Sequence, residues 1–147
     1  ATKKQKITVP RRDFTVDQTE RIKNSGWNIE SQKVFFQEIE ELKKEGKTQD
    51  DTILQAWRMG ECGFVSFPGE LFIEWGLKVK RESPFPFTYP IELGGDYLGY
   101  LVTQQAWQQG GYESLIARSA RPSVEGVELM YEKAIEMLNN LYRETPV

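Results

Sequence analysis

The chain contains no histidine and a single cysteine, and each shortage removes a class of chemistry. Without imidazole it lacks the commonest zinc ligand and the commonest general base near neutral pH, so no Ser-His-Asp or Cys-His set can be built from its own residues. One thiol, Cys62, cannot close an internal disulfide; beside Gly63, Phe64 and Val65 it reads as a small buried apolar residue. Long apolar runs are missing as well. No stretch approaches the roughly 20 residues that span a bilayer, and the opening Ala1-Thr2-Lys3-Lys4 has no apolar signal-peptide centre. Charge of one sign is not concentrated: 22 acidic and 19 basic residues leave a net charge of -3, which argues against nucleic acid as a partner. Lys3, Lys4, Lys6, Arg11 and Arg12 do gather near the start, and such a run is expected to be a solvated end. The first residue is Ala rather than Met and a strand follows almost at once, which points to a segment of a longer gene product.

What is present suffices for one folded domain. The 147 residues are 39% hydrophobic and 12% aromatic, enough apolar surface to offset chain entropy around one core. Ile7-Thr8-Val9 favours a strand ended by Pro10, and Thr15 with Gln18 three residues on forms a capping box for a short helix stopping near Asn24-Ser25-Gly26. Ser31 can cap a second helix ending at Gly46, with Phe35, Ile39 and Leu42 on one face and a Glu40–Lys44 pair outside. Over 1–56 this gives one strand and two or three surface helices. Residues 57–67 suit a strand or hairpin, interrupted by Phe67-Pro68-Gly69-Glu70. For 71–82 the helical stripe Leu71, Trp75, Val79 and strict alternation fit equally; length, the preceding Pro and Gly, and the stop at Ser83-Pro84 favour helix. Phe87 to Leu93 reads as a strand that Pro90 confines to an edge or bulge, followed by a sharp turn at Gly94-Gly95-Asp96. After Pro122-Ser123, the spacing of Val127, Met130, Ala134, Leu138 and Leu141 predicts a long helix. The order β-α-α-β-α-β-α over residues 1–147 implies a single α/β domain, a small mixed sheet packed by helices.

Phosphate-cradling patterns are absent, since Gly94-Gly95 and Gly110-Gly111 stand alone. Two stretches are chemically unusual: Phe67-Pro68-Gly69-Glu70 at a strand-to-helix junction, and Gly94-Gly95-Asp96-Tyr97-Leu98-Gly99-Tyr100 just past a strand end, where α/β sheets gather ligands. Pattern alone also allows Glu70 as an acid favoured by a helix N-terminus and Tyr97 and Tyr100 as core aromatics with wet hydroxyls.

Phe67-Pro68-Gly69-Glu70, then Lys80 to Phe85, Asp96-Tyr97-Leu98-Gly99-Tyr100-Leu101-Val102-Thr103 and Gly110-Gly111-Tyr112-Glu113 together resemble, in order, the C-terminal part of the neutral, non-lysosomal ceramidase catalytic domain and its shorter bacterial relatives. The resemblance covers roughly 57–142, and Val9-Pro10-Arg11-Arg12 also looks like a segment of the shorter relatives. It implies a zinc-dependent amide hydrolase in which Glu70 and Tyr100 are metal ligands beside histidines from earlier in the family's chain. Here those histidines would come from a missing N-terminal segment or a partner chain, so this chain alone would be inactive. Tyr112 and Glu113 match a Tyr-Glu pair at the active-site wall, and Tyr97, first of the Tyr-x-x-Tyr pair, would also face substrate. The resemblance further implies export in bacteria, to the periplasm or outside. Two departures, Gly95 in place of Asn and Gly76-Leu77-Lys78 in place of Gly-Arg-Arg, mean that the lipid substrate does not carry over.

Two other classes stand beside the hydrolase: a non-catalytic interaction or structural domain on the same scaffold, and a small-molecule binding module with a pocket near Tyr97 and Tyr100. A part of a larger body should expose apolar residues where the rest docks, with Phe64, Phe67 and Phe72 the candidates and a homodimer one way of covering them.

Overall fold

The structure is a computed structural model and describes residues 1–144. In chain order, β1 (Thr2–Pro10) is followed by α1 (Thr19–Lys23), α2 (Ile29–Glu45), β2 (Gln49–Met59), β3 (Cys62–Ser66), β4 (Glu70–Leu71), α3 (Ile73–Glu82), β5 (Phe87–Ile91), β6 (Tyr100–Leu101), α4 (Gln104–Gln109), a 3₁₀ turn Tyr112–Ser114 and α5 (Val124–Arg143). The main sheet has the order β1-β2-β3-β5, antiparallel except for the parallel β3–β5 pair, while β4 and β6 form a separate parallel ladder. This is the mixed α/β architecture expected, with three more strands, two of them short, and with a short helix and a 3₁₀ turn added.

Period-two alternation divides the main sheet into two faces. Ile7, Val9, Leu54, Ala56 and Val65 point inward and are buried. Over them lies α5, capped by the Ser123 hydroxyl, which accepts from the Gly126 N–H at 3.1 Å. The stripe Val127, Met130, Ala134, Leu138 and Leu141 is wholly buried, and α3 adds Trp75 and Val79 to the same core. A satellite cluster forms where α1 and α2 meet the 112–116 loop, built from Phe14, Ile22, Ile39, Leu42, Leu115 and Ile116. It matters because it fixes the loop that carries Tyr112.

The outward face of the sheet is aromatic. One register row places Trp57 beside Phe64 and Phe64 beside Tyr89, with ring centroids 5.4 and 5.1 Å apart. The next row aligns Met59, Cys62 and Phe87. Cys62 is half-buried rather than buried, because alternation sends it out with Phe64 and sends Gly63 and Val65 inward. Of the three phenylalanines expected to be exposed, Phe64 lies in this ladder, Phe72 packs partly against the core, and Phe67 is completely buried where the chain leaves β3.

Several local readings are corrected by competing hydrogen bonds. Thr15 does not cap a helix: its N–H and hydroxyl both donate to Asp13 Oδ1, at 2.8 and 2.6 Å, in an aspartate turn, and α1 begins only at Thr19. Asn28, not Ser31, caps α2, its side chain accepting from the Ser31 N–H at 2.9 Å. Lys43, not Lys44, pairs with Glu40. Segment 49–56 is strand; its polar start Gln49-Asp50-Asp51-Thr52 hides the alternation, and pairing with β1 imposes it. Arg11 and Arg12 are buried rather than solvated. Arg11 makes a bidentate pair with Asp50, both bonds 2.7 Å, which together with Glu45 holds its pKa above the usual value despite burial.

Tyr131 on α5 donates its buried hydroxyl to Glu82 at the end of α3. Burial, then this bond, raises its pKa above 10.0. A raised folded-state pKa gives stability that is complete below the unfolded value and drains away as pH rises past it. The wild type should therefore lose more stability between pH 9 and 11 than Tyr131→Phe, which itself costs about 1 kcal/mol at neutral pH. Urea midpoints of the two proteins compared at each pH test this. Equal alkaline losses would refute it, and the comparison cancels the opposite contribution of Arg12.

Candidate functional site

The candidate site is built on the β4–β6 ladder. Phe67 leads out of β3 into Pro68-Gly69, and this corner is sewn to the next turn by the Leu93 N–H on Gly69 O (3.1 Å), Gly94 N–H on Phe67 O (2.9 Å) and Leu98 N–H on Pro68 O (2.7 Å). The Glu70 N–H then donates to Gly99 O at 3.0 Å and the Phe72 N–H to Leu101 O at 3.2 Å. On its other side β6 is held by the Tyr100 N–H on Ser119 O, 2.8 Å. The register places Glu70 directly opposite Tyr100. Partners in such a row project to the same side, so a carboxylate and a phenol separated by thirty positions of chain are neighbours.

Two further tyrosines complete the group. The Tyr97 hydroxyl donates to Glu70 Oε1 at 3.1 Å, and the hydroxyls of Tyr100 and Tyr112 share a hydrogen bond of 3.0 Å with their rings edge to face. Tyr97 and Tyr112 are about half exposed, at 46% and 50%, so the cluster opens to the surface. Tyr97 is anchored through its carbonyl, which accepts from Arg121 Nη2 at 2.8 Å, and Arg121 Nε stands 3.4 Å from the Asp50 carboxylate that also binds Arg11. Arg121 is thus a positioning residue that pattern reading missed; nothing marks it in sequence beyond its place before Pro122. Glu113 is nearby in chain but does not join the cluster. Its backbone carbonyl accepts from Arg12, and its carboxylate turns toward Gly111.

The electrostatics keep the phenols protonated. The Tyr100 pKa is raised, first by its hydrogen bond with Tyr112, then by burial and by the Glu70 carboxylate alongside; Tyr97 is raised by burial and then by Glu70. A cation between Glu70 and Tyr100 would reverse that sign and favour the phenolate. As donors the two oxygens suit zinc, which accepts carboxylate and other oxygen ligands, but they fill two of its usual four positions. Among the described residues no three acidic or cysteine side chains converge as a metal group. The pair therefore fits half of a zinc site.

No protein-family model matches this chain, and no curated protein matches it in sequence. Solved structures do match in fold. Neutral ceramidase from Pseudomonas aeruginosa aligns with a TM-score of 0.57 at 16% identity, over 66% of this chain and 16% of that one. A ceramidase complexed with C2 aligns with a TM-score of 0.56 at the same identity and coverage. The chain thus has a ceramidase-like fold and spans 16% of the length of each of these two ceramidases. Among the described residues no helix is long and apolar enough to cross a membrane.

Proposed function

We propose that this chain is part of a zinc-dependent amide hydrolase resembling the neutral ceramidases, with Glu70 and Tyr100 as two of the metal ligands. The histidines would be supplied by a preceding segment or a partner chain, and the chain alone would be inactive. The supporting observation is the register pairing of Glu70 with Tyr100, with Tyr97 and Tyr112 hydrogen-bonded to them.

Zinc, when bound, supplies Lewis-acid activation of water against an amide carbonyl. The chain's own residues do the rest. Tyr97 donates to Glu70 Oε1 and holds the carboxylate in place. Tyr112 fixes the Tyr100 ring and can keep a hydrogen bond to its oxygen when that oxygen turns to a cation. Tyr97 and Tyr112, half exposed, wall the approach, while the Glu113 carboxylate lies beside Gly111.

The longer gene product, or the complex with its partner, should hold about one zinc per chain. Loss of an outer-shell contact to a metal ligand already costs about 10–100-fold in affinity, so Glu70→Gln and Tyr100→Phe should each lower zinc affinity at least about 10-fold and remove amide hydrolysis while leaving the circular dichroism spectrum unchanged. Full zinc content and turnover in both variants would remove the assignment.

A second reading, an interaction or structural domain without catalysis, is favoured by the aromatic face Trp57-Phe64-Tyr89 with Met59 and Phe87 at 63% and 54% exposure. In the hydrolase reading the same face seats the missing segment, a partner chain or a second copy. A gene product that binds no zinc and carries no His-x-His upstream of Ala1 decides for the second reading.

A further inference from the structure

Beside the tyrosine cluster lies a cleft of about 430 Å³ lined by Arg21, Asn24, Ser25, Trp27, Tyr112 and Leu115. Tyr112 joins it to the candidate site, since its ring lines the cleft while its hydroxyl meets Tyr100. Gly111 also lines the cleft and, with Tyr112, belongs to the motifs that carry the ceramidase resemblance; the remaining lining residues belong to none of them.

Arg21 defines the cleft's chemistry. Its guanidinium lies over Trp107, 5.2 Å from the ring centroid, and donates from Nη2 to Ser114 Oγ at 2.7 Å and from Nη1 to Gln18 Oε1 at 3.5 Å. Both acceptors are neutral, and among the described residues no carboxylate forms an ion pair with Arg21. A guanidinium has five N–H groups, so Nε–H and one hydrogen on each terminal nitrogen remain to be used. The neighbouring cation Arg12, over the same indole at 4.9 Å, is already committed to the carbonyls of Glu113, Leu115 and Pro122. One available guanidinium matches a single negative charge, in the planar forked geometry of a carboxylate; a dianionic phosphate would leave a charge uncompensated. Asn24 and Ser25 line the cleft as neutral polar groups, and Trp27, stacked on Phe35 at 4.4 Å, gives with Leu115 an apolar wall.

We infer that this cleft binds the carboxylate of a small amphipathic amide, an N-acyl amino acid, with Arg21 as the specificity-determining residue. The amide would reach the Glu70–Tyr100 pair past Tyr112, a step that rests on the hydrolase reading; the carboxylate subsite itself does not.

Binding of N-acetylglycine to the chain as it stands tests the inference, read by the Trp27 indole ¹H–¹⁵N resonance and assigned with Trp27→Phe. N-acetylglycine should move that resonance saturably, and the neutral N-acetylglycinamide should bind at least about 10-fold more weakly, the loss of a charge-assisted bond of about 1.5 kcal/mol or more. Arg21→Gln should weaken N-acetylglycine at least as much, and in the wild type affinity should fall as salt rises from about 50 to 500 mM. The salt series and the neutral analogue keep the test decisive even if Arg21→Gln misfolds on losing Ser114. No saturable shift, equal binding of the neutral analogue, or unchanged binding in a folded Arg21→Gln would each overturn the inference. Inorganic phosphate binding more tightly than N-acetylglycine would overturn the carboxylate assignment. Glu70→Gln in the chain should bind the probe normally, and the same change in the longer gene product should lower zinc affinity, so failure of the metal site and failure of the cleft give different results.

Discussion

Gly99→Ala should lower Tm by about 10 °C or leave the protein insoluble. Gly99 has φ +92°, in the left-handed region that side chains rarely adopt. A Cβ built on it would stand 2.0 Å from Ser119 O, 2.2 Å from Ser119 C and 2.7 Å from Ala120 N, all backbone atoms that cannot rotate aside. Its carbonyl accepts from the Glu70 N–H, and the next N–H donates to Ser119 O, so relieving the clash parts β6 from β4 or from 119–120. Strain of about 1–3 kcal/mol adds to overpacking of about 1–3 kcal/mol, a large share of the total for a domain stable by about 5–15 kcal/mol. At roughly 2–4 °C per kcal/mol this gives the stated shift. Gly76→Ala is the contrasting control: nothing lies within 4 Å of its Cβ position and it sits inside α3, so it should stabilise by about 0.5–1 kcal/mol. A Gly99→Ala protein melting within about 2 °C of wild type would refute the account of the ladder.

Arg12→Ala should cost about 3 kcal/mol, and Arg12→Lys should recover little of it. The side chain is 5% exposed and its pKa is pushed down to about 10 by burial and secondarily by Arg21. Despite that penalty it donates to three backbone carbonyls: Nε to Pro122 O at 2.9 Å, Nη1 to Leu115 O at 3.3 Å, and both terminal nitrogens to Glu113 O. Its plane covers Trp107. Truncation leaves these carbonyls without their donors, at about 1–3 kcal/mol for each that water cannot reach, and strips the indole of packing. Lysine offers a compact charge that cannot span the carbonyls as a planar fork does. Urea unfolding measures the cost. Losses under about 1 kcal/mol in both variants would show that the Arg12 contacts are dispensable.

These two residues show where sequence reading succeeds and where it stops. Period and length sufficed for α5, whose stripe Val127 to Leu141 is buried as spaced, for α3, and for β5, where Pro90 sits in an edge strand as its missing N–H requires. Reading failed where a polar side chain finds a distant partner. Arg12 is separated from Pro122 by 110 positions, so a basic run near the chain start gives no local sign that two of its members will be buried. Asp13 and Asn28 won their hydrogen bonds from Thr15 and Ser31, residues with the same local signature. Glu70 and Tyr100 were legible through resemblance alone, since spacing allowed a helix-end acid and an ordinary aromatic; their opposition in one ladder is a tertiary result. Arg21 was invisible for the same reason, its contact with Ser114 closing over 93 positions.

The lysines at the start of the chain have a role that follows from their place in the sheet. β1 borders the sheet with β2 on one side, and ahead of Pro10 its other row of N–H and C=O groups can template a foreign extended segment. Lys4 and Lys6 are exposed along this border. A copy aligning edge to edge with Lys4 opposite Lys6 would bring like ammonium groups together, so the basic run disfavours that self-pairing of the strand that it helps to form.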